Sequence, residues 1–583
     1  MKRVKIPLRE YVRLLAGYLK PQWKSVVLLA FLLTLSIAMQ LINPQIIRYF
    51  IDSAQEQTDK NRLYYAAGLF IVVSLVYQLI TLVVTYISEN VGWTATNQLR
   101  GDVASHCLRL DQSFHKNHSS GSLIERVDGD INALSNFFSK LSVMLLSNLA
   151  LVIGILLLLF REGWQIGLVM LVFVVVAFMS IQYVRRFAAP FWTKMREIHA
   201  EFYGFLGEHL EGTEDTRANG ATGFVMNRFY SILRRWLPIR FKAFMGFGAM
   251  WITTLILFAL GTAMALLVSA HLWRIGAITI GTVYMIVYYT ELLAKPIEQI
   301  RTQMEDLQKA DASITRISEL LAIRSTVLDG NGPKPAAGPS SVVFDQVEFG
   351  YEEDIVTLDG LSFELKRGHS LGVLGRTGSG KTTLARLLLR FHDPRSGRIL
   401  LDGRDIREPE LVELRRHVGM VTQQIELFQG TVKENLTFYD NSVADARIEA
   451  VLVELGLADW LSSQPLGLST PLESGGNGLS AGEAQLLAFA RVFLTDPGVV
   501  ILDEASSKLD PATEQKIVRA IDKLMRNRTC IIIAHRLATI RRVDDILILE
   551  NGQMMEHGRR QALASEPESR FSRILITGME DLA

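Results

Sequence analysis

The sequence predicts a two-part chain: an α-helical membrane domain with six long spans, followed by an α/β domain of the phosphate-loop type. Three observations predict it. Long charge-free apolar stretches are confined to the first half, a proline- and glycine-rich segment at 329–339 separates the halves, and residues 375–382 read Gly-Arg-Thr-Gly-Ser-Gly-Lys-Thr. At 583 residues the chain exceeds what one hydrophobic core organises. A formal net charge of +1 argues against an electrostatic nucleic-acid binder, so no nucleic-acid partner is expected. The two cysteines, Cys107 and Cys530, fall in different halves. They suggest neither a disulfide framework nor a metal site and read as buried structural thiols.

Apolar stretches at 25–47, 63–88, 141–160, 163–184 and 243–273 each reach the roughly 18 residues that a spanning helix needs. A sixth, 275–290, is shorter. It is counted because an even number returns the chain to its starting side, and because the helix can continue through Glu291 and Lys295 as an i,i+4 pair. The first run is too long for a cleavable signal peptide and no small-residue cleavage site follows it. Lys and Arg crowd the N-terminus (Lys2, Arg3, Lys5) and the segment 185–243, whereas the short connections at 48–62, 161–162 and 274 hold few. The N-terminus and long loops are therefore expected on the cytoplasmic side. Both long loops read as helix, at 89–110 and 186–215, and end in polar glycine-containing turns at 115–121 and 218–223. Each turn is either a plain helical hairpin or a knob that touches another domain. A charged helix, 297–321, leaves the last span. The domains are expected at 1–325 and 341–583, with a linker at 326–340.

The glycine-rich octet fits G-x-x-x-x-G-K-[ST], in which Gly375, Arg376, Thr377, Gly378, Ser379, Gly380, Lys381 and Thr382 offer backbone N–H groups to phosphates. A buried strand, Ser370 to Leu374, precedes it and a helix begins at Thr383. That helix N-terminus favours negative charge; Lys381 can bridge the β- and γ-phosphates and Thr382 can reach Mg²⁺. Farther on, Val499-Val500-Ile501-Leu502-Asp503-Glu504 is an apolar run ending in two acids. A buried strand that delivers carboxylates at its carboxyl end suits the crevice where open α/β sheets bind ligands. Asp503 can hold Mg²⁺, and Glu504 can polarise the attacking water. A second buried strand ends at His535, which is either a strand cap or a γ-phosphate donor. Gln423 ends a short strand and could reach Mg²⁺ or that water.

Taken with Tyr351, Leu479-Ser480-Ala481-Gly482-Glu483 and Ser506-Ser507-Lys508-Leu509-Asp510, these motifs resemble an ATP-binding cassette exporter half-transporter of the type I fold over nearly the whole chain. The resemblance implies a helical signature subdomain within the nucleotide-binding domain. It makes Tyr351 the aromatic that stacks on adenine, 375–383 including Thr383 the phosphate cradle, and Gln423 the link to the membrane domain. Glu504 becomes the general base, Asp503 the magnesium residue and His535 the γ-phosphate switch. Ser480 and Gly482 become signature contacts to the nucleotide of a partner subunit, and Asp510 belongs to the same nucleotide-binding set. ATP and Mg²⁺ are the implied ligands, and the turns at 114–121 and 218–223 resemble coupling helices.

The chain departs from the family's usual Leu-Ser-Gly-Gly-Gln at Ala481 and Glu483. Ala481 is expected to crowd a close backbone approach and Glu483 to bring charge toward phosphate. Residues 470–476 have lost most of the family's Thr-Glu-Val-Gly-Glu-Arg-Gly run, which weakens the expected cross-contact with coupling helices. Lys508 stands where the family has alanine. Because an intact base beside an altered signature is a pattern of unlike pairs, a heterodimer is expected ahead of a homodimer. Few charges lie at membrane depth, where Gln40, Asn43, Tyr77, Gln78, Asn148, Trp251, Tyr284 and Tyr288 are candidate cavity residues. An amphiphilic, lipid-like or drug-like cargo is expected, exported across a bacterial inner membrane by alternating access. An ATP-gated channel or an importer of the same fold is the alternative.

Overall fold

The structure is a computed structural model that describes residues 16–56, 60–136, 142–352, 354–476, 478–503, 511–533 and 537–577. The chain forms two compact units, Met1–Leu108 with Ser120–Ile323, and Arg109–Ser119 with Arg324–Ala583.

The first unit is built from α1 (Trp23–Gln55), α2 (Lys60–Arg109), and, after the short helix α3 (Gln112–Asn117), α4 (Ser142–Glu162), α5 (Trp164–Glu211), α6 (Thr222–Arg274), α7 (Ile280–Leu292) and α8 (Ala294–Ala322). Among the described residues, five helices are long and apolar enough to cross a membrane: 16–55, 60–109, 144–162, 164–211 and 222–274. The helices α2, α5 and α6 run 50, 48 and 53 residues. At 1.5 Å per residue each is about 75 Å long, against a hydrocarbon core of about 30 Å, so each extends far beyond the bilayer.

The sixth span differs from expectation. Residues 275–279 form a turn, with Gly276 at φ +75°. The helix starts only at Ile280, where the Thr279 side chain accepts from Thr282 N at 3.2 Å. Leu293, at φ −69° and ψ −21°, stays helical and accepts from Ile297 N at 3.2 Å, so the helix runs on into α8 through Glu291 and Lys295 as expected. No Glu291–Lys295 ion pair forms among the described residues.

Lipid supplies no hydrophobic drive between helices, so close packing holds this unit together. At Gly261 an added Cβ would lie 2.5 Å from the Phe173 ring, so only a glycine lets α6 approach α5 there. One end of the unit is tied by polar contacts. Arg48 pairs with Glu162 at 2.6 Å, and Asp52 accepts from Gly281 N at 2.9 Å and Thr279 Oγ1 at 2.7 Å. The C-terminal ends of α1 and α4 therefore meet the N-terminal end of α7, so α1 and α4 run one way and α7 the other. Toward the opposite end a π-helical turn, Glu125–Asp130, presents Asp130, only 2% exposed, to Ser313 Oγ at 2.9 Å and Arg316 Nε at 2.8 Å on α8.

The second unit is an α/β domain with two main sheets and a short two-stranded pairing of Gly430–Thr431 with Pro471–Leu472. The strands are β1 (Val342–Phe349), β2 (Leu358–Leu365), β3 (Ser370–Leu374), β4 (Ser396–Leu401), β5 (Arg404–Asp405), β6 (Val418–Val421), β7 (Val499–Asp503), β8 (Thr529–Ile533), β9 (Asp545–Glu550) and β10 (Gln553–Arg559). The smaller sheet has the order β2-β1-β4-β5 and the larger β10-β9-β3-β8-β7-β6. In the larger sheet β6, β7, β8, β3 and β9 are mutually parallel and β10 is antiparallel to β9. Every residue of β3, β7 and β8 is buried, as expected of parallel strands covered on both faces. Neither Cys107 nor Cys530 is in a disulfide and both are buried; burial pushes the Cys530 thiol up to about 12.

Candidate nucleotide site

Strand register assembles the site. Ile533 pairs with both Val373 and Asp503, so the carboxyl ends of β3, β8 and β7 lie in one row, while Val421 pairs with Leu502 and brings Gln423 to the same edge. The phosphate loop leaves β3 at this edge and α9 (Lys381–Leu388) starts behind it. Sequence expectation put the helix start at Thr383; Lys381 and Thr382 are already helical.

The loop's shape depends on two glycines. Gly375 sits at φ +150°, where a Cβ would meet Leu549 O at 2.2 Å and Ser379 Oγ at 2.6 Å. Gly380 sits at φ +104°, where a Cβ would lie 2.6 Å from Leu358 Cδ2. Side chains are excluded from both by conformation and by space. Arg376, Thr377, Gly378 and Thr382 are exposed, while Ser379, Gly380, Lys381 and Thr383 are buried. Lys381 is 6% exposed and its ammonium donates to Gly375 O and, at 2.9 Å, to Arg376 O, which folds it across the loop. The Ser379 hydroxyl is buried without a hydrogen-bond partner. A cradle that only glycine allows, a buried cation and an orphaned hydroxyl together fit a phosphate chain.

Tyr351 follows β1. Its hydroxyl bonds Thr383 Oγ1 at 3.2 Å and accepts from Arg386 at 3.3 Å, which ties the ring to α9. Asp503 is 7% exposed at the end of β7, and Gln423 is exposed. Glu504, Asp510 and His535 lie outside the described residues, as does Lys508. Thr382 and Asp503 are oxygen donors of the kind that hard divalent cations take, so these residues fit Mg²⁺.

The signature segment opens α10 (Ala481–Thr495). Ser480 Oγ accepts from Glu483 N at 3.2 Å, and Glu483 Oε2 accepts from Ser480 N and Ser480 Oγ at 2.8 Å each. This is a closed capping box, which glutamate supplies as a charged acceptor. Glu483 is thus turned back onto its own helix end, and Ser480 and Ala481 stay exposed while Gly482 is buried. Residues 470–476 take a separate local course: Val432 N donates to Thr470 O and Gly475 N to Leu427 O, both at 3.0 Å.

Sequence reasoning gave the first polar turn as a plain helical hairpin or a knob that touches another domain, but did not name the groups that Arg109–Ser119 brings to Tyr351 and His392. The turn opens in the helix α3, capped by Asp111, which accepts from Phe114 N at 3.1 Å. Phe114 is 7% exposed and stacks on His118 at 4.3 Å. The Lys116 ammonium lies 4.7 Å over the Tyr351 ring, and Ser113 Oγ and His392 Nδ1 are 3.2 Å apart. His392 in turn meets Tyr351 edge-on at 5.3 Å. Burial pushes the His392 imidazole below its ordinary value; Arg386 and Lys116 act the same way, and Asp111 and Asp393 oppose them. Partial burial opposes ionisation of Asp111, yet hydrogen bonds from Thr326 and Phe114 outweigh it and hold its carboxyl below the usual range. Partners so far apart in sequence leave no local pattern to find. The second polar turn, 218–223, is an exposed turn within the first unit, with Gly220 at φ +62°.

Residues 26–297 match the family described as ABC transporter transmembrane region, and residues 358–507 match the family described as ABC transporter. An uncharacterised ABC transporter ATP-binding protein of Bacillus subtilis is 31% identical over 95% of this chain and 92% of its own length. The chain belongs to the ABC transporter family. An ATP-dependent lipid A-core flippase of Idiomarina loihiensis is 28% identical over 96% of each chain. The solved structure of a bacterial Atm1-family ABC exporter with ATP bound superposes with a TM-score of 0.78 at 26% identity, covering 95% of this chain and 98% of that one. This ABC transporter is a type I exporter half-transporter, an integral membrane protein whose nucleotide-binding domain binds and hydrolyses ATP.

Proposed function

We propose that this chain is one half of a dimeric exporter that uses ATP to carry an amphiphilic, lipid-like or drug-like cargo out across a bacterial inner membrane. The observation that carries the reading is the placement of Arg109–Ser119. This segment follows directly on the membrane helix α2, yet it folds as part of the nucleotide-binding unit, with Lys116 over Tyr351 and Ser113 against His392. A ligand stacked on Tyr351 and seated in the 375–383 cradle acts on a segment of its own unit that is continuous in the chain with α2. Relatives named as lipid A-core flippases and as multidrug efflux proteins support the cargo class.

In this reading Tyr351 orients the base, Lys381 and the loop N–H groups neutralise phosphate charge, and Glu504 takes the proton of the attacking water. Mg²⁺ held by Thr382, Asp503 and Gln423 supplies charge neutralisation between the β- and γ-phosphates. His535 and Asp510 complete the site, and Ser480 and Gly482 serve the nucleotide of a second half-transporter. The carboxylate at Glu483 favours a heterodimer, in which this chain lends its base to a site closed by the partner's uncharged signature. We further propose domain limits of 1–325 and 341–583 with a linker at 326–340, and a cytoplasmic N-terminus and nucleotide-binding domain.

The test is ATPase activity of the chain in lipid nanodiscs, with the dimer state read in the same sample. Glu504→Gln is expected to lower turnover at least about 100-fold while ATP still binds; undiminished turnover sinks the assignment. An inactive or monomeric preparation rescued by a second half-transporter establishes the heterodimer, and a fully active homodimer overturns it.

A further inference from the structure

The proline- and glycine-rich segment that reads in the sequence as a linker is laid against the second unit along its length. The Asp329 carboxylate accepts from Leu411 N, the first N–H of the helix Leu411–His417, at 2.7 Å, and Gly332 N donates to Glu408 O at 2.7 Å. An added Cβ at Gly330 would lie 2.0 Å from Glu408 O, and one at Gly498 would lie 2.0 Å from Gly338 O, so backbone lies directly on backbone at both points. At the far end Ser340 is 1% exposed; its hydroxyl is 2.7 Å from His417 Nε2, and its carbonyl accepts from Thr529 Oγ1 at 2.7 Å. Glycine makes a slack tether only where the backbone is free. Here residues 329–340 form a strut fixed to the nucleotide-binding unit.

One carboxylate holds the near end of that strut. Asp111 Oδ1 accepts from Phe114 N at 3.1 Å, which caps α3, and Asp111 Oδ2 accepts from Thr326 N and Thr326 Oγ1 at 2.7 Å each. Phe114 lies on the chain leaving α2 and Thr326 on the chain leaving α8. In the first unit, His106 Nε2 on α2 and Leu320 O on α8 are 3.0 Å apart. The chain passes between the units at 108–109 and again at 323–324, so these two passages run together and are tied on either side. We propose that Asp111 is a positioning residue that knots the exits of α2 and α8 into a single handle, so that ATP-driven displacement of the nucleotide-binding unit moves both helices together. The strut keeps the α8 exit from lagging. Hydrogen bonds to an ionised carboxylate are about twice as strong as neutral ones, and with its N–H and its hydroxyl on one oxygen Thr326 has little freedom. This rests on the exporter reading for its purpose and adds to it how the movement is shared between two helices.

The test compares hydrogen exchange with and without ATP for the full chain in lipid nanodiscs, in the dimer that the ATPase measurement establishes and with Glu504→Gln to keep ATP intact. In the parent, ATP is expected to change the protection of 96–108 and 310–323 in step. Asp111→Asn separates the knot from the cap. Asparagine caps a helix as well as aspartate does, but its amide has one acceptor oxygen and cannot serve both α3 and Thr326, so the link between them opens. The response of 310–323 is then expected to fall at least about threefold relative to that of 96–108. Thr326→Val, which leaves the α3 cap untouched, is expected to act in the same direction, and it decides alone should Asp111→Asn fail to assemble. No response at either segment in the parent, matched responses in the variants, or equal losses at the two segments overturn the proposal; equal losses reduce Asp111 to a helix cap. ATP turnover with Glu504 intact is read separately. Responses that part in the variants of a chain without turnover uphold the knot and sink the exporter reading, whereas matched responses in a chain that turns over sink the knot and leave the exporter standing.

Discussion

At the scale of single residues, the site depends on positions where one atom more or one charge less changes the chemistry. Gly380 is one: its φ of +104° and the fully buried Leu358 beside it leave no room for a methyl group. Gly380→Ala is expected to cost about 1–3 kcal/mol of local strain and to weaken nucleotide binding more than tenfold, read by fluorescent-nucleotide titration alongside a thermal melt. Glu483 is another. Glu483→Gln keeps an acceptor for Ser480 N but removes the charge, so helix stability should stay within about 0.5 kcal/mol of the parent while dimer turnover rises and loses part of its salt dependence. Glu483→Ala should instead cost about 1 kcal/mol by opening the box. Unchanged turnover in Glu483→Gln would reduce the carboxylate to a helix cap. The charge of Glu483 was legible in the sequence, but its direction was not: whether a carboxylate faces a ligand or its own helix end depends on the backbone at Ser480.

At the scale of elements, the docking of α3 on the nucleotide-binding unit should respond to pH through His392. Its folded-state value lies below the ordinary 6.5, so the neutral imidazole is the form the structure holds. That contribution is complete above about pH 6.5 and is lost as pH falls through that value toward the lower folded one. Hydrogen exchange of residues 109–119, corrected for intrinsic rates, should therefore be faster at pH 5.5 than at pH 7.5, and His392→Phe should remove the difference. Exchange that ignores pH in the parent would show that Lys116 and Phe114 hold α3 without the imidazole. The contact between the π-helical turn and α8 has an asymmetry of its own. Arg316→Ala leaves the buried Asp130 carboxylate without its cation, whereas Asp130→Ala leaves an arginine whose side chain is 47% exposed and can be hydrated. Arg316→Ala should be the more destabilising, by about 1–3 kcal/mol, in thermal unfolding of the full chain. Equal losses would mean that solvent reaches Asp130 when Arg316 is cut back.

For the whole molecule, the two-part plan was legible because it rests on signals local in sequence. A run of charge-free residues must cross lipid as helix, and Gly375 to Thr382 can close around phosphate with no help from distant parts of the chain. The strand end at Asp503 was readable for the same reason: a continuous apolar run marks a strand buried on both faces. The sixth helix starts later than its apolar run because apolar content does not say where a helix starts; Asp52 and Thr279 decide that by accepting from Gly281 N and Thr282 N. The cavity lined by Gln40, Tyr77 and Asn148 belongs with the features only the tertiary structure decided, since these residues share a wall only after the helices have packed. The same holds for the partners of segment 109–119: its polar turn reads as a hairpin or as a knob, and only the fold shows Ser113 at His392 and Lys116 over Tyr351. By itself, then, the sequence determined the membrane helices, the phosphate loop and the strand-end acid Asp503, because hydropathy and glycine geometry act within a few residues. Tertiary structure decided which helix ends meet and which residues of 109–119 reach Tyr351 and His392, because those depend on contacts hundreds of residues apart, and the backbone at Ser480 decided where Glu483 points.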